Sequence, residues 1–293
     1  MNCSRRFFEI RTPHQKASVN TQDEFPLHRK VCSRGPGTVS HYDRRGHFFY
    51  PCSADVQSNE VSEATDKVLG ITDLPVFPLP VVLFPGVPLP LHIFEPRYRQ
   101  MLKDIRVSNN LFCVAYFDPS TTELEVPPEG HVGCVAEVTE TQMFPDGRSN
   151  ILTLGVIRYR IESYIERGDP YLLARVSYFE DDEEDQSSLT SPAREVAETF
   201  TRIAQAVRTL NDERSNLPDI SNTEPSRLSF LVAAAMEIDA EVKQDLLELR
   251  STSIRLERLR GMLALAVKGY EERARMHELA KGNGHSGRKI ELE

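Results

Sequence analysis

The chain has few of the features that mark a membrane-spanning, secreted or zinc-binding protein. Its 293 residues include no tryptophan, and no apolar run approaches the roughly 18 residues that a transmembrane helix needs. Charged side chains interrupt the first residues, so we expect no secretory signal. None of the five cysteines forms a C-x-x-C pair, which argues against RING fingers and zinc ribbons. Cys113 and Cys134 lie among apolar residues and are expected in a core.

The formal net charge of −9 is distributed unevenly along the chain. Residues 1–50 hold nine basic and four acidic side chains, so the acidic excess lies in the remainder. Binding to nucleic acid depends on clustered lysine and arginine that neutralise phosphates. Nucleic acid is therefore not the expected main ligand.

Composition and periodicity divide the chain into four segments. Residues 1–70 show no sustained helical or strand period, so we expect a disordered extension. Its basic, acid-poor character is typical of a plastid or mitochondrial transit peptide, although an unstructured tail or a wrongly assigned start would look the same. We expect a β subdomain over 71–182, a helical subdomain over 183–282 and a polar tail over 283–293. Without a transit peptide, the expected location is the cytoplasm.

Short apolar stretches separated by turn signals dominate the second segment. Prolines interrupt its first apolar residues, which indicates short or edge strands. Turn residues around Gly147 and Gly168 each separate two strand-like stretches and predict hairpins. One helix is expected from Pro96, with a buried stripe of Tyr98, Met101, Leu102 and Ile105. The pattern predicts a small, partly closed barrel with one inserted helix.

The chain changes to a helical pattern after residue 180. Six adjacent carboxylates, residues 180–185, repel one another and are interpreted as a solvated linker. Their contiguity lacks the spacing of a calcium loop. Helices are expected from about Ser191, Ser226 and Asp239, and the last helix is expected from near Ser251 to Lys281. The last helix carries a heptad-like seam of Leu256, Leu259, Leu263, Ala266 and Tyr270. Such a seam suits packing within the chain or a coiled coil between copies.

Several stretches resemble the N-terminal domain of Lon proteases. Residues 74–99 read LPVFPLPVVLFPGVPLPLHIFEPRYR and are similar to the opening signature of that domain. Later signatures are matched by VGCVAE at 132–137, by LTLG at 152–155 and by RYRI at 158–161. The helices from 228 to 263, with LLEL at 246–249, resemble its helical half. The likeness covers about residues 72–270 and is nearest in type to the short free-standing Lon-domain proteins of bacteria and plastids.

This resemblance implies a fold and a function. The implied fold is α+β: a PUA-like small β-barrel with one inserted helix, followed by a helical bundle that ends in a long helix. The implied function is a non-catalytic module that recognises unfolded polypeptide or docks on a protease or chaperone subunit. The ATPase and Ser-Lys peptidase of full Lon are not expected, because only about 20 residues follow the bundle. RNA binding by a PUA-like barrel and a structural role in oligomerisation are the alternatives.

No pattern nominates a catalytic, cofactor or metal site. The stretch from Gly282 to Lys289 approaches a phosphate-binding loop, but Arg288 replaces its lysine and Lys289 replaces its hydroxyl residue. Lys243 and Lys268 lie among charged residues, and no G-x-S-x-G motif marks a nucleophile. An uncharacterised hydrolase, the third alternative, therefore has no candidate nucleophile.

Charged residues of the motifs admit a structural interpretation beside a functional one. His92 could act as a general base, but a hydrogen-bonded side chain at the strand-to-helix junction is favoured. Glu95 and Arg97 are expected to cap the following helix and to pair locally. Arg158 and Arg160 lie on one strand face and could bind a carboxylate, although a solvated face is favoured.

Apolar residues between the prolines of the first motif admit two interpretations as well. Phe84, Val87 and Leu89 could form an exposed groove for unfolded polypeptide, by edge pairing or by side-chain pockets. The favoured interpretation is that they close the barrel.

Overall fold

A computed structural model describes residues 60–120, 124–213 and 216–283. It shows the predicted α+β fold, in which a sheet is followed by helices. The strands are β1 (Asp73–Leu79), β2 (Pro88–Ile93), β3 (Leu111–Tyr116), β4 (Val132–Met143), β5 (Ser149–Tyr164) and β6 (Leu172–Phe179). The helices are α1 (Glu60–Val68), α2 (Pro96–Arg106), α3 (Gln186–Leu210), α4 (Pro225–Ala235), α5 (Ala240–Glu248) and α6 (Thr252–Asn283). None of these described helices combines the length and apolar character needed to cross a bilayer.

The six strands form one sheet that closes on itself. Their order is β2-β5-β4-β3-β1-β6, and β6 also pairs with β5. The 16-residue strand β5 makes this closure, because its first part pairs with β2 and its second part pairs with β6. The closed ring therefore contains five strands, and β2 extends from it as an edge strand.

Two glycines of the sequence motifs allow backbones to approach closely within this sheet. A Cβ atom at Gly133 would collide with the carbonyl oxygen of Val114, and one at Gly155 would collide with that of Phe84. Gly155 also forms two backbone hydrogen bonds with the segment before β2. Its carbonyl oxygen accepts from the Gly86 nitrogen at 2.9 Å, and its nitrogen donates to the Val87 carbonyl oxygen at 3.0 Å. Only glycine fits such contacts.

Helix α2 covers one part of the barrel. It begins at Pro96, as predicted, and its buried residues are the predicted stripe of Tyr98, Met101, Leu102 and Ile105. Phe77 of β1 packs on Tyr98, with ring centroids 3.9 Å apart. Cys113 and Cys134 are fully buried in the strands, as expected.

Helices α3 to α6 build a second core beside the barrel. The seam of α6 faces this core: Leu256, Leu259 and Leu263 are buried, and α6 packs along α3. The seam is therefore used within the chain. Helix α3 begins at Gln186 and is capped by Asp185, which accepts a hydrogen bond from the Ser187 nitrogen. The start predicted near Ser191 was wrong, because Asp185, at the end of the acidic run, caps the helix six residues earlier.

The end of the predicted disordered extension also differs from expectation. Residues 60–68 form α1, whose Val68 is 2% exposed and packs against the barrel core. The rest of the extension, with the predicted transit peptide, lies outside the described residues. The polar tail from residue 284 onward and the look-alike of a phosphate loop within it also lie outside them.

Candidate functional site

Arg158 lies buried between the barrel and the helices, with 2% of its side chain exposed. Its guanidinium donates to the Asp181 carboxylate at 2.5 Å and to the carbonyl oxygens of Leu247 and Leu249 at 3.0 and 2.6 Å. The predicted solvated strand face was therefore wrong for Arg158. It holds for Arg160, which is exposed and donates to the Gly130 carbonyl.

Asp181 organises this junction. Its carboxylate pairs with Arg158 and Arg255 and accepts hydrogen bonds from Ser226 and Thr252 at 2.7 and 2.6 Å. We call these five residues the junction cluster. The run 180–185 is thus not a uniformly solvated linker, since one of its carboxylates meets two arginines that come from β5 and α6.

The junction cluster contains two cations and one anion, and the protein itself supplies the compensation. Carbonyl oxygens at the C-terminal end of α5 accept from both guanidiniums, and a helix C-terminus carries partial negative charge. The Phe230 ring stacks beneath Arg255, 3.9 Å from its central carbon to the ring centroid. Burial alone would raise the pKa of Asp181, but hydrogen bonds and charge from Arg255 and Arg158 bring it below its ordinary value. The cluster is internally satisfied and acts as a structural joint between strands and helices.

A different kind of surface lies at the tip of the β4–β5 hairpin. The ring of His92 lies 6.0 Å from that of Phe94 and 6.2 Å from that of Phe144, between centroids. Phe94 is 57% exposed and Met143 is 61% exposed, although both are large apolar side chains. We call His92, Phe94, Met143 and Phe144 the hairpin-tip surface.

Apolar side chains are exposed on both faces of this hairpin. His92, Asn150 and Gln142 are register partners, so they share one sheet face, while Met143 belongs to the opposite face. His92 Nδ1 lies 2.7 Å from Asn150 Oδ1, which orients the imidazole between the two phenyl rings. On the other face, Arg106 of α2 lies 3.3 Å from the Met143 sulfur.

Two arginines beside the hairpin-tip surface are paired with carboxylates. Arg97 lies 2.9 Å from Glu95, and Arg148 lies 2.6 Å from Asp146. Hydrogen bonds from the Arg148 backbone and side chain lower the pKa of Asp146. The surface therefore has compensated charges at Arg97 and Arg148, whereas Arg99 beside Gly147 and Arg106 beside Met143 add positive charge.

The residues expected at the strand-to-helix junction behave only in part as predicted. His92 forms a hydrogen bond, as favoured, but its partner is an amide on β5, and its contacts with the described residues are with Asn150, Phe94 and Phe144. Glu95 and Arg97 pair locally, as expected. Glu95 occupies the N-cap position of α2, but its side chain makes no capping hydrogen bond.

The apolar groove weighed between the prolines does not form. Phe84 is completely buried and packs against Phe230 in the helical core, with ring centroids 5.9 Å apart. Val87 and Leu89 are partly buried against the cores. Phe84 and Val87 fill the space between barrel and helical core, whereas Leu89 packs on the barrel beside α2, as expected for closing the barrel.

Metal-ligating groups are not found in the part of the chain that the structure describes. No group of three or more His, Cys, Asp or Glu side chains there could hold a metal ion. Lys243 donates to the Ala234 carbonyl at 2.8 Å, and burial lowers its pKa. Lys268 is exposed on α6.

A sequence model of the ATP-dependent protease La (LON) substrate-binding domain matches residues 73–264. The chain belongs to this family. Its relatives include the Lon protease of Desulforamulus reducens, 26% identical over 196 residues, and that of Escherichia coli K12, 29% identical over 196 residues. These alignments cover 66% and 65% of this chain but 24% of each relative, so the chain spans about a quarter of their length.

A solved structure agrees on the fold. The N-terminal domain of Mycobacterium avium complex Lon protease superposes with a TM-score of 0.52 at 18% identity, covering 66% of this chain and 98% of that domain. The predicted Lon N-terminal architecture is confirmed by this likeness and by the family match. The matched region contains both the junction cluster and the hairpin-tip surface.

Proposed function

We propose that this chain is a non-catalytic module that binds unfolded polypeptide through the hairpin-tip surface. The observation that carries the proposal is the exposure of Phe94 beside His92 and Phe144, with Met143 exposed on the opposite face of the same hairpin. Exposed large apolar side chains at one place on a protein commonly mark protein-binding sites. Membership of a substrate-binding domain family supports a polypeptide as the ligand.

Side chains, rather than a strand edge, carry this recognition. The Val87 carbonyl accepts a hydrogen bond from Gly155 of β5. Successive strand residues direct their backbone groups to alternate sides, so Pro88 and Pro90 occupy positions that face away from β5. Proline has no N–H group, and the free edge of β2 is therefore poor in donors for an added strand.

Two of the arginines near the hairpin-tip surface are engaged by carboxylates and are not free to bind phosphate. Arg97 and Arg148 each lie beside a carboxylate of their own local segment. Phosphate binding needs cations that are free to replace counterions, and stacking platforms for bases work together with such cations. An apolar or aromatic segment of an unfolded chain fits this surface better.

The proposal is tested with a fluorescently labelled polypeptide that has no stable fold, such as reduced and carboxymethylated lactalbumin. Fluorescence anisotropy should report saturable binding, whereas labelled native lactalbumin should bind weakly. Phe94→Ser and Met143→Ser should each weaken binding roughly five- to tenfold, because each removes a large part of one apolar contact.

A matched control is available in the same chain. Leu69 is 77% exposed just after α1 and is not part of the hairpin-tip surface, so Leu69→Ser should leave the affinity unchanged. Equal losses in all three variants would contradict a role for the hairpin-tip surface. Salt-dependent binding of a single-stranded RNA probe, in place of the unfolded polypeptide, would contradict the ligand class.

A further inference from the structure

Helix α6 has a second apolar face, opposite the seam that packs on the helical core. Four large side chains on this face are exposed: Ile254, Leu265, Met276 and Leu279. Leu265 is 87% exposed and Met276 is 67% exposed. Ile254, Leu265 and Met276 recur every 11 residues, a spacing that keeps them on one stripe of a straight helix. We call this stripe the outer face of α6.

Two glycines along α6 have no packing reason among the residues that the structure describes. A Cβ atom at Gly261 would meet nothing within 4 Å, and one at Gly269 would meet only the end of the Arg273 side chain at 3.9 Å. Glycine destabilises a helix interior relative to alanine. Close approach of another helix would give both positions a use, because glycine lets two backbones come together.

Two opposite charges lie in the middle of the outer face. Lys268 and Glu272 are exposed and one turn apart, and neither takes part in an ion pair with another described residue. In a pair of antiparallel copies that cross near residue 270, Lys268 of each copy would lie opposite Glu272 of the other. In a parallel pair, lysine would face lysine and glutamate would face glutamate, which is unfavourable.

We propose that the outer face of α6 binds the same face of a second copy in an antiparallel, two-fold symmetric pair. The register that joins Lys268 to Glu272 also places Leu279 of one copy against Gly261 of the other. It brings Leu265 within one residue, about 1.5 Å along the axis, of the position opposite Met276. One register thus satisfies the charges and the small residue and brings the large side chains together, and each pair lies on the same side of the stripe, as two-fold symmetry requires.

The size of the contact indicates a reversible dimer. In this register the outer faces overlap from Gly261 to Leu279, about 27 Å at 1.5 Å per residue, and Ile254 lies beyond the overlap. Two helices packed over that length bury on the order of 1,000 Å² in total, near the lower limit of specific interfaces. We therefore expect dissociation in the micromolar range. This pairing is separate from polypeptide binding at the hairpin-tip surface.

Sedimentation equilibrium of the full chain at low ionic strength tests the pairing. The mass should rise from the monomer value of 33.2 kDa towards twice that value as concentration increases. Leu265→Glu should abolish the rise. Lys268→Glu and Glu272→Lys should each weaken dimerisation roughly tenfold, and the double variant should restore it, because the exchanged charges again face each other.

Controls separate this contact from misfolding and from other surfaces. Arg194→Glu makes the same change of charge on the exposed side of α3 and should leave dimerisation unchanged. Gly261→Leu should keep the helical circular dichroism of the wild type while weakening the dimer, because a bulky side chain blocks close approach. Monomer at every concentration would overturn the proposal. A dimer unaffected by Leu265→Glu, or a double charge variant weaker than both single ones, would overturn the assigned face and register.

Discussion

The junction cluster and the hairpin-tip surface depart from the usual distribution of side chains in opposite directions. At the junction, Arg158 and Arg255 are buried, with 2% and 0% of their side chains exposed. At the hairpin tip, Phe94 is more than half exposed. Charged groups are rarely buried, and large apolar groups are rarely exposed together, so each region needs a physical reason.

The two reasons differ in kind. Buried charge is tolerated where partners within the chain satisfy it, and the junction cluster supplies carboxylate, hydroxyl, carbonyl and aromatic partners. The exposed apolar side chains at the tip lack such cover in the described structure. A complete set of partners indicates a structural role, and an incomplete one indicates a ligand. Mutation should therefore affect stability in the first region and binding in the second.

The largest effect on stability is expected from Asp181→Ala. The change leaves two buried guanidiniums without their carboxylate, which costs about 3–5 kcal/mol of unfolding free energy by the measure of broken buried ion pairs. Urea unfolding followed by circular dichroism measures it. Asp182→Ala is the matched control, since Asp182 is 58% exposed and pairs with an exposed Arg250. The control should cost less than about 1 kcal/mol. Similar losses in both variants would contradict the structural role of the cluster.

A comparison of two phenylalanines in one motif tests the contrast within ten residues of sequence. Phe84 is fully buried, so Phe84→Ala should lower the free energy of unfolding by about 3–4 kcal/mol. Phe94→Ala should lower it by less than about 0.5 kcal/mol. Unfolding and polypeptide binding are measured on both variants. The contrast fails if Phe94→Ala is as destabilising as Phe84→Ala.

Local patterns in the sequence were sufficient for the barrel and for α2. Alternation and turn residues predict the hairpins at Gly147 and Gly168, and spacing near 3.6 predicts the buried stripe of α2. These features depend on neighbours along the chain. The resemblance to Lon N-terminal domains then gave the order of sheet and helices, which the fold confirms.

Long-range contacts explain what the sequence did not reveal. Asp181 lies in a run that looks solvated, and its partner Arg255 is 74 residues further along the chain. Phe84 and Phe94 occur in the same proline-rich motif, yet the helical core covers Phe84 and leaves Phe94 exposed. Whether such a side chain is buried or exposed depends on packing against elements that are remote in the sequence. Strand or helix periodicity carries no information about that packing.

A smaller effect is expected where strands and helices meet outside the cluster. The Tyr116 hydroxyl of β3 donates to Glu241 of α5 at 2.9 Å, on the exposed side of the junction. Tyr116→Phe should lower the free energy of unfolding by about 0.5–1 kcal/mol, the net contribution of one hydrogen bond. A loss as large as that of Asp181→Ala would mean that the junction does not concentrate its stabilisation in the buried cluster.

The smallest effect should appear as a pH dependence, at a junction residue that lacks the complete partners of the cluster. His131 precedes β4, and its Nε2 atom is buried without a hydrogen-bond partner among the described residues. Burial lowers the pKa of His131 below its ordinary value of 6.5, and the charge of Glu248 opposes only part of this. Above pH 6.5 both folded and unfolded histidine are neutral, so the group does not affect stability there. As the pH falls below 6.5, the unfolded chain takes up the proton first, and the free energy of unfolding decreases until the folded pKa is passed.

Urea unfolding of the wild type and of His131→Gln, measured between pH 7.5 and pH 5, isolates this contribution. The wild type should lose more unfolding free energy on acidification than the variant. The slopes of unfolding free energy against pH should differ by less than the slope that the uptake of one full proton produces. Because Asp181 is held in its charged form, its own titration lies at lower pH and should not overlap this window. Parallel pH profiles would contradict this expectation, because they would mean that His131 binds its proton equally well in the folded and the unfolded chain. The junction would then tolerate a positive charge at His131 as readily as it tolerates the charges of the cluster.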